Sequence, residues 1–298
     1  MRRRTAGAAV LACTALVLTG CGTRVSGTSP ASSRESSSIQ CVGSDTLVNL
    51  ALAWAEAYMG TRPGVSISVT GGGSGTGIAA LVAGTVDVAN ASRAMSAEEI
   101  DAARANGIEP VRHVVALDAI AVVVHPSNPV DGLTLAQVAD AYTGRAARWS
   151  QLGGEERPVV LLSRESNSGT YVYFLERVLR LGRKDAKDLF SPETLLMPSS
   201  EGISTEVRQN RNAIGYDGLG YVTTDQKTLA IAREPGAPFV LPSAATVIDG
   251  TYPVSRPLFM YTAGEPVGAV KEFLDFVTGD GQGLVTGLGF VPLQGGEQ

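Results

Sequence analysis

The chain has 298 residues, of which 44% are hydrophobic and 18% charged, with 35 glycines and a formal net charge of −5 at pH 7. That is enough apolar material for two lobes or one large domain in a lightly charged, turn-rich fold. No basic run follows the first four residues, which argues against nucleic acid as a partner.

The N-terminus reads as a targeting segment. Arg2-Arg3-Arg4 is a charged leader, and Ala6 to Leu18 is an apolar run too short to span a bilayer. It ends in Leu18-Thr19-Gly20-Cys21, which resembles the bacterial lipobox. That resemblance implies a signal peptide over 1–20, acylation of Cys21 and a chain anchored by lipid on the outer face of the cell membrane. Residues 21–38 are rich in Ser, Thr and Gly and read as a flexible tether. Of the three cysteines, one lies in the signal and one at the lipobox. Cys41 is left alone, so no intrachain disulfide is expected; it reads as a small buried hydrophobe.

From Ile39 onward, β-like runs alternate with helix-like ones. Ile39–Val42 reads as a strand, and Leu47, Leu50, Ala51, Trp54 and Tyr58 follow at helical spacing. Ser44, Asp45 and Thr46 therefore fall at a strand-to-helix turn, with more polar side chains than a cap needs. The run Val65–Val69 ends in the glycine-rich Thr70-Gly-Gly-Gly-Ser-Gly-Thr-Gly77 and opens a helix from Ile78. Glycines permit close approach of a ligand, and the free amides of a helix N-terminus suit an anion. The loop lacks the Lys of a P-loop, the third glycine of a dinucleotide fingerprint and the closing glycine of a nucleophile elbow. A third polar strand end is Asn90-Ala-Ser92-Arg93, followed by a capping-box start at Ser96-Ala-Glu-Glu99.

Val111 to Val124 reads as one or two buried strands interrupted by Asp118, and His125-Pro126-Ser-Asn-Pro129 as a first crossing between lobes. Thr134-Leu-Ala-Gln137 opens another helix, and Pro158–Leu162 is a strand. The strand ends in Ser163-Arg164-Glu-Ser-Asn-Ser168-Gly169-Thr170, a fourth polar turn that contains an arginine, ahead of an amphipathic helix. Ile203–Val207 suggests a short helix, Ala213–Tyr216 a strand and Leu258–Tyr261 a final strand after a return crossing. Pro266 to Val277 completes the last helix.

Helix-length segments between strands predict an α/β chain with mainly parallel sheets. In such sheets ligands bind beyond the carboxyl ends of the strands, where all four polar turns lie. The hydroxyls of Ser44, Thr46, Ser74, Ser92, Ser168 and Thr170, together with Arg93 and Arg164, suit an oxyanion. The two histidines, His113 and His125, fall in no triad or metal spacing, so neither an enzyme nor a metal or cofactor is expected.

Taken together, Gly43–Ala51, Val69–Ile78, Ala89–Arg93, Ser163–Tyr171, Asn212–Tyr216 and Tyr252–Leu258 resemble the bacterial phosphate-binding proteins of phosphate-specific ABC transporters, the PstS family, in their lipoprotein form. The resemblance implies a two-lobed, venus-flytrap fold of the type II periplasmic-binding-protein class. Lobe I would comprise 39–125 and 251–298, and lobe II 126–250. It implies a monomer that holds inorganic phosphate between the lobes and delivers it to a membrane permease. Carried over by position, Thr46 and the Leu47 amide, Ser74 with Gly75, Arg164, Ser168, Gly169 and Thr170 would hold the anion, beside Ser44, Asp45, Ser92 and Arg93. Better-known members carry at position 92 an aspartate that accepts the phosphate proton and rejects sulfate. Here Ser92 stands there, leaving Asp45 or Asp118 as acceptor and a sulfate or molybdate receptor as the alternative.

Overall fold

A computed structural model describes residues 37–293. The lipobox cysteine, the signal and nearly all of the tether lie outside the described residues. The first strand, β1 (Ser37–Gly43), starts two residues ahead of Ile39, because Ser37 and Ser38 already pair with Val65 and Ser66 of β2 (Val65–Thr70). Between them α1 (Val48–Thr61) buries Leu50, Trp54 and Tyr58 on one side, as their spacing requires. After β2 come α2 (Ser74–Val82), β3 (Val88–Ala91) and α3 (Ala97–Ala105). The last starts with a complete capping box, Ser96 bonding the Glu99 amide and Glu99 reaching back to the Ser96 amide.

Val111–Val124 is one strand, β4, with Asp118 buried inside it. Residues 111–119 pair with β11 (Ser255–Thr262), and 120–124 pair with β8 (Ala213–Gly218), both antiparallel. The chain thus passes from one half of the sheet to the other inside β4, before the Pro126 break where the sequence suggested a crossing. The second half adds β5 (Gly132–Thr134), α4 (Leu135–Tyr142), β6 (Val160–Arg164), α5 (Gly169–Phe174), β7 (Leu195–Met197) and α6 (Ser200–Gln209). Beyond β8 lie β9 (Lys227–Thr228), β10 (Ala230–Ala232) and α7 (Ala244–Ile248); α8 (Gly268–Thr278) follows β11.

The strand order is β2-β1-β3-β11-β4-β8-β6-β7, with β9 on the side of β4 and a separate β5–β10 pair. The outer pairs β2-β1, β1-β3, β8-β6 and β6-β7 are parallel, while the inner ones through β11 and β4 are antiparallel. The sheet is therefore mixed rather than mainly parallel. Each half has its own core. Ile39, Trp54, Tyr58, Leu258 and Phe273 form one. Val122, Tyr142, Trp149, Phe174 and Tyr216 form the other, where the Phe174 and Tyr216 rings stack. Both tryptophans are buried and spend their N–H on carbonyls, Trp54 on Gly281 and Trp149 on Asn212. Cys41 is buried with a free thiol, pushed up to about 12 by desolvation.

The packing of α2 against β1 depends on one glycine. A Cβ at Gly77 would lie 2.3 Å from the Val42 carbonyl oxygen and 2.7 Å from the Gly43 Cα. Both are backbone atoms that cannot turn aside. Gly77→Ala is expected to destabilise the fold by roughly 1–3 kcal/mol, lowering the urea midpoint at unchanged slope. An unchanged midpoint would show that the contact is slack.

Candidate functional site

Four strand ends meet. β1 ends at Gly43, and Ser44 leads into a 3-10 turn, Asp45–Leu47, before α1. β2 ends at the three glycines before Ser74, β3 ends just before Ser92, and β6 ends at Arg164 before Ser168 and α5. The first amides of a helix have no carbonyl behind them within the helix, so the turns into α1, α2 and α5 bring donors and the positive end of a dipole to the site, while Ser92 lies five residues ahead of α3 and brings only its own groups.

The side chains there are small, polar and buried. The Ser74 and Ser92 hydroxyl oxygens are 3.2 Å apart, and the Ser92 amide donates to Ser74 Oγ at 3.0 Å. The Thr46 and Thr170 hydroxyls pair at 2.9 Å. Gly169 lies against the serines: a Cβ there would be 2.4 Å from Ser74 Oγ and 2.6 Å from Ser92 Oγ. Ser168 caps α5 by accepting from the Thr170 and Tyr171 amides. The Gly75 amide donates to the Asn167 carbonyl at 2.9 Å, and Asn167 Nδ2 donates to the Gly72 carbonyl at 2.8 Å. The turns of the two halves are thus in direct contact.

Two buried arginines stand beside this cluster, each held by an aspartate. Arg256 of β11 faces Asp118 of β4 in register, and its Nε and Nη2 donate to Asp118 Oδ2 at 3.1 and 2.9 Å. Its Nη1 donates to the Ser92 carbonyl at 2.9 Å, and its Nη2 reaches the Thr170 and Thr46 hydroxyls at 3.0 and 3.4 Å. Burial pushes the Asp118 carboxyl up, and the Arg256 guanidinium beside it pulls the other way. Arg164 donates to Asp45 Oδ2 at 2.5 Å, to Ser200 Oγ at 3.0 Å and to the Met197 and Pro198 carbonyls. The other Asp45 oxygen accepts from the Gly72 amide at 3.0 Å. Behind Arg164 lies Asp217, fully buried, its carboxyl pushed up to about 7 by desolvation against the pull of the Arg164 charge.

Of the residues expected from the sequence, Thr46, Ser74, Ser92, Ser168, Gly169 and Thr170 come together. Asp45 and Arg164 lie beside them but bond each other. Ser44 is buried next to Thr46, its hydroxyl without a partner among the described residues. Three expectations fare differently. The Leu47 amide donates to the Ser44 carbonyl at 3.1 Å, so the 3-10 turn itself uses it. Arg93 turns from the hydroxyls into a bidentate pair with Glu99, at 2.7 Å to each oxygen. The capping glutamate of α3 is a nearer and stronger partner than a neutral hydroxyl cluster. The Gly75 amide is likewise spent on Asn167. His113 and His125 bond Thr262 and Ser127 instead. The sequence reading missed Arg256, Ser200 and Asn167. Arg256 left a trace as a charge inside Tyr252–Leu258 just ahead of a core strand, and Asn167 stood inside the polar turn Ser163–Thr170 without being singled out.

Removing one member of a buried ion pair strands the other charge. Asp118→Ala is expected to cost roughly 3–5 kcal/mol in urea unfolding, and the double change Asp118→Leu with Arg256→Met to recover most of it. A double variant as unstable as the single one would contradict this. Asp217 has a pH signature. Its folded pKa lies above the unfolded value, so the native state binds more protons between the two. Its contribution should be fully present below about pH 4 and lost as pH rises through about 7, by a few kcal/mol. Asp217→Asn should flatten that slope in unfolding curves taken from pH 4 to 8; an unchanged slope would place its origin elsewhere.

A family model described as a PBP superfamily domain matches residues 28–281. The chain is similar to the phosphate-binding protein PstS of Pseudomonas aeruginosa, with 37% identity over 276 residues that cover 87% of this chain and 84% of that protein. Its fold is similar to a Clostridium perfringens protein solved with bound phosphate, at a TM-score of 0.77 and 30% identity, covering 86% of this chain and 100% of that one. A Vibrio cholerae protein described as an ABC-type phosphate transport receptor matches with a TM-score of 0.68 and 28% identity, over 86% of this chain and 100% of that one. By the span of the family model and the identity to its relatives, the chain belongs to the PstS family of the PBP superfamily.

Proposed function

We propose that this chain is an extracytoplasmic receptor that binds inorganic phosphate where the four strand-end turns meet and hands it to the permease of an ABC transporter. The observation that carries this is the junction of the Thr46, Ser74 and Thr170 hydroxyls at helix starts with that of Ser92 at the end of β3, the Arg256 guanidinium touching two of them. A tetrahedral anion needs many convergent donors and no nucleophile, and that is what these residues supply. The relatives are named as binding and transport proteins, which supports a receptor without catalysis. The Cys21 lipobox and the polar stretch after it support a lipid anchor on the outer face of the membrane. Among the described residues no helix is long and apolar enough to cross a membrane.

The cycle follows from the contacts. Thr46 and Ser74 belong to one half, Ser168 and Thr170 to the other, so an anion touching both favours the closed arrangement over an open one. Discrimination against sulfate needs an acceptor for the phosphate proton. The Asp118 side chain is fully buried and committed to Arg256, whereas Asp45 keeps 17% exposure, which supports Asp45 in that role.

Calorimetric titration of the full chain tests the reading. One phosphate per chain is expected, undisturbed by an equal concentration of sulfate. Thr170→Val should weaken binding by roughly 1–3 kcal/mol, about fivefold to 150-fold, by removing a buried donor. Gly169→Ala should weaken it at least about tenfold by propping Ser74 and Ser92 away from α5. Absence of phosphate binding would refute the assignment, and displacement by sulfate would make the chain a receptor for another oxyanion.

A further inference from the structure

Two surface grooves beside the site share Tyr173 and Glu176 in their walls. One, of about 600 Å³, starts at the buried Ser92 and Arg256 and runs outward past Arg93 and Arg112 to Tyr173 and Glu176. The other, of about 400 Å³, begins at the same Tyr173 and Glu176 and is walled by Arg177, Arg180, Arg183 and Lys184. The larger groove has Ser92 of the hydroxyl cluster in its lining, and Tyr173, common to both, has its ring beneath the Arg256 guanidinium at 5.6 Å.

The charge along these grooves is one-sided. Glu99 is neutralised by Arg93, which leaves Glu176 as the acid in the two linings without such a partner. Arg112, Arg177, Arg180 and Lys184 have no carboxylate partner among the described residues, and Arg183 has only Asp188 at 3.8 Å. Arg112 lies over the Phe259 ring, which holds its charge at the groove wall. A bland origin exists for part of this: basic residues at a helix C-terminus complement its dipole, and Arg177 lies in the π-helical continuation of α5, Leu175–Leu179, with Arg180, Arg183 and Lys184 just after it. That account covers neither Arg112, which sits on β4, nor the wall shared with the groove that reaches Ser92.

The protein carries a formal charge of −5, so a phosphate dianion approaching at random meets a repulsive body. Screening confines each charge to about 8 Å at physiological salt, so cations help only where they line the route. Resting on the phosphate-receptor reading above, we propose that the two grooves are an electropositive entry path that gathers inorganic phosphate and conducts it past Tyr173 to the site. Arg112, Arg177, Arg180 and Lys184 set how fast the anion arrives and not how tightly it is held.

The test separates rate from affinity. Phosphate association is followed by stopped flow on the full chain, with a dye on a Glu165→Cys side chain beside α5, an exposed position. The triple change Arg112→Gln, Arg177→Gln, Lys184→Gln should slow association about three- to tenfold at low salt and leave dissociation unchanged; the gap should close near 0.5 M salt. Glu176→Gln should speed association. Unchanged association in the triple variant, or a loss confined to dissociation, would overturn the entry path while leaving the receptor reading intact. A wild-type chain that binds no phosphate in calorimetry would remove both.

Discussion

The guanidinium of Arg256 is the tie on which the site depends. It lies where β4 and β11 pair, one residue before β4 exchanges partners, and both it and Asp118 are withdrawn from water. Burying such a pair is expensive unless the remaining hydrogen-bonding capacity is met. Here it is met by the Ser92 carbonyl and by the Thr46 and Thr170 hydroxyls, which come from three other chain segments. A hydroxyl that accepts from an arginine has its own proton left to give. Because the Thr46 and Thr170 hydroxyls also pair with each other, one of their two protons lies between them and the other is left for an anion.

Arg164 makes the second tie, and it works differently. Its partner Asp45 sits in the opposite half, so this pair, the Thr46–Thr170 hydroxyl pair and the Gly75–Asn167 bond all span the gap between the halves. Closure therefore has contacts of its own, and a ligand needs to add only the difference between open and closed states. The bridge from Arg164 to Asp45 also bears on selectivity. The Asp45 oxygens, which accept from Arg164 and from the Gly72 amide, have lone pairs left to accept a proton on a bound anion.

Local chemistry explains how much of this was legible in the sequence. The polar turns at Ser44–Thr46, Ser74, Ser92 and Ser168–Thr170 could be placed because strand runs, glycines and capping patterns are encoded within a few residues. What failed was non-local. Asp118 read as an interruption of Val111–Val124 because its partner lies 138 residues away. The mixed order of the sheet depends on how β11 returns between β3 and β4, which no periodicity records. Arg93 looked available for an anion because Glu99 had already been explained as a helix cap, and one carboxylate serves both purposes.

The most direct test of the account is a high-resolution crystal structure of the full chain with phosphate, read oxygen by oxygen. The account predicts the anion between α2 and α5, with the Ser74, Thr46 and Thr170 hydroxyls donating to it and Arg256 still holding Asp118 beneath them. Phosphate bound away from these hydroxyls, or an Arg256 released from Asp118 and the threonines, would contradict it.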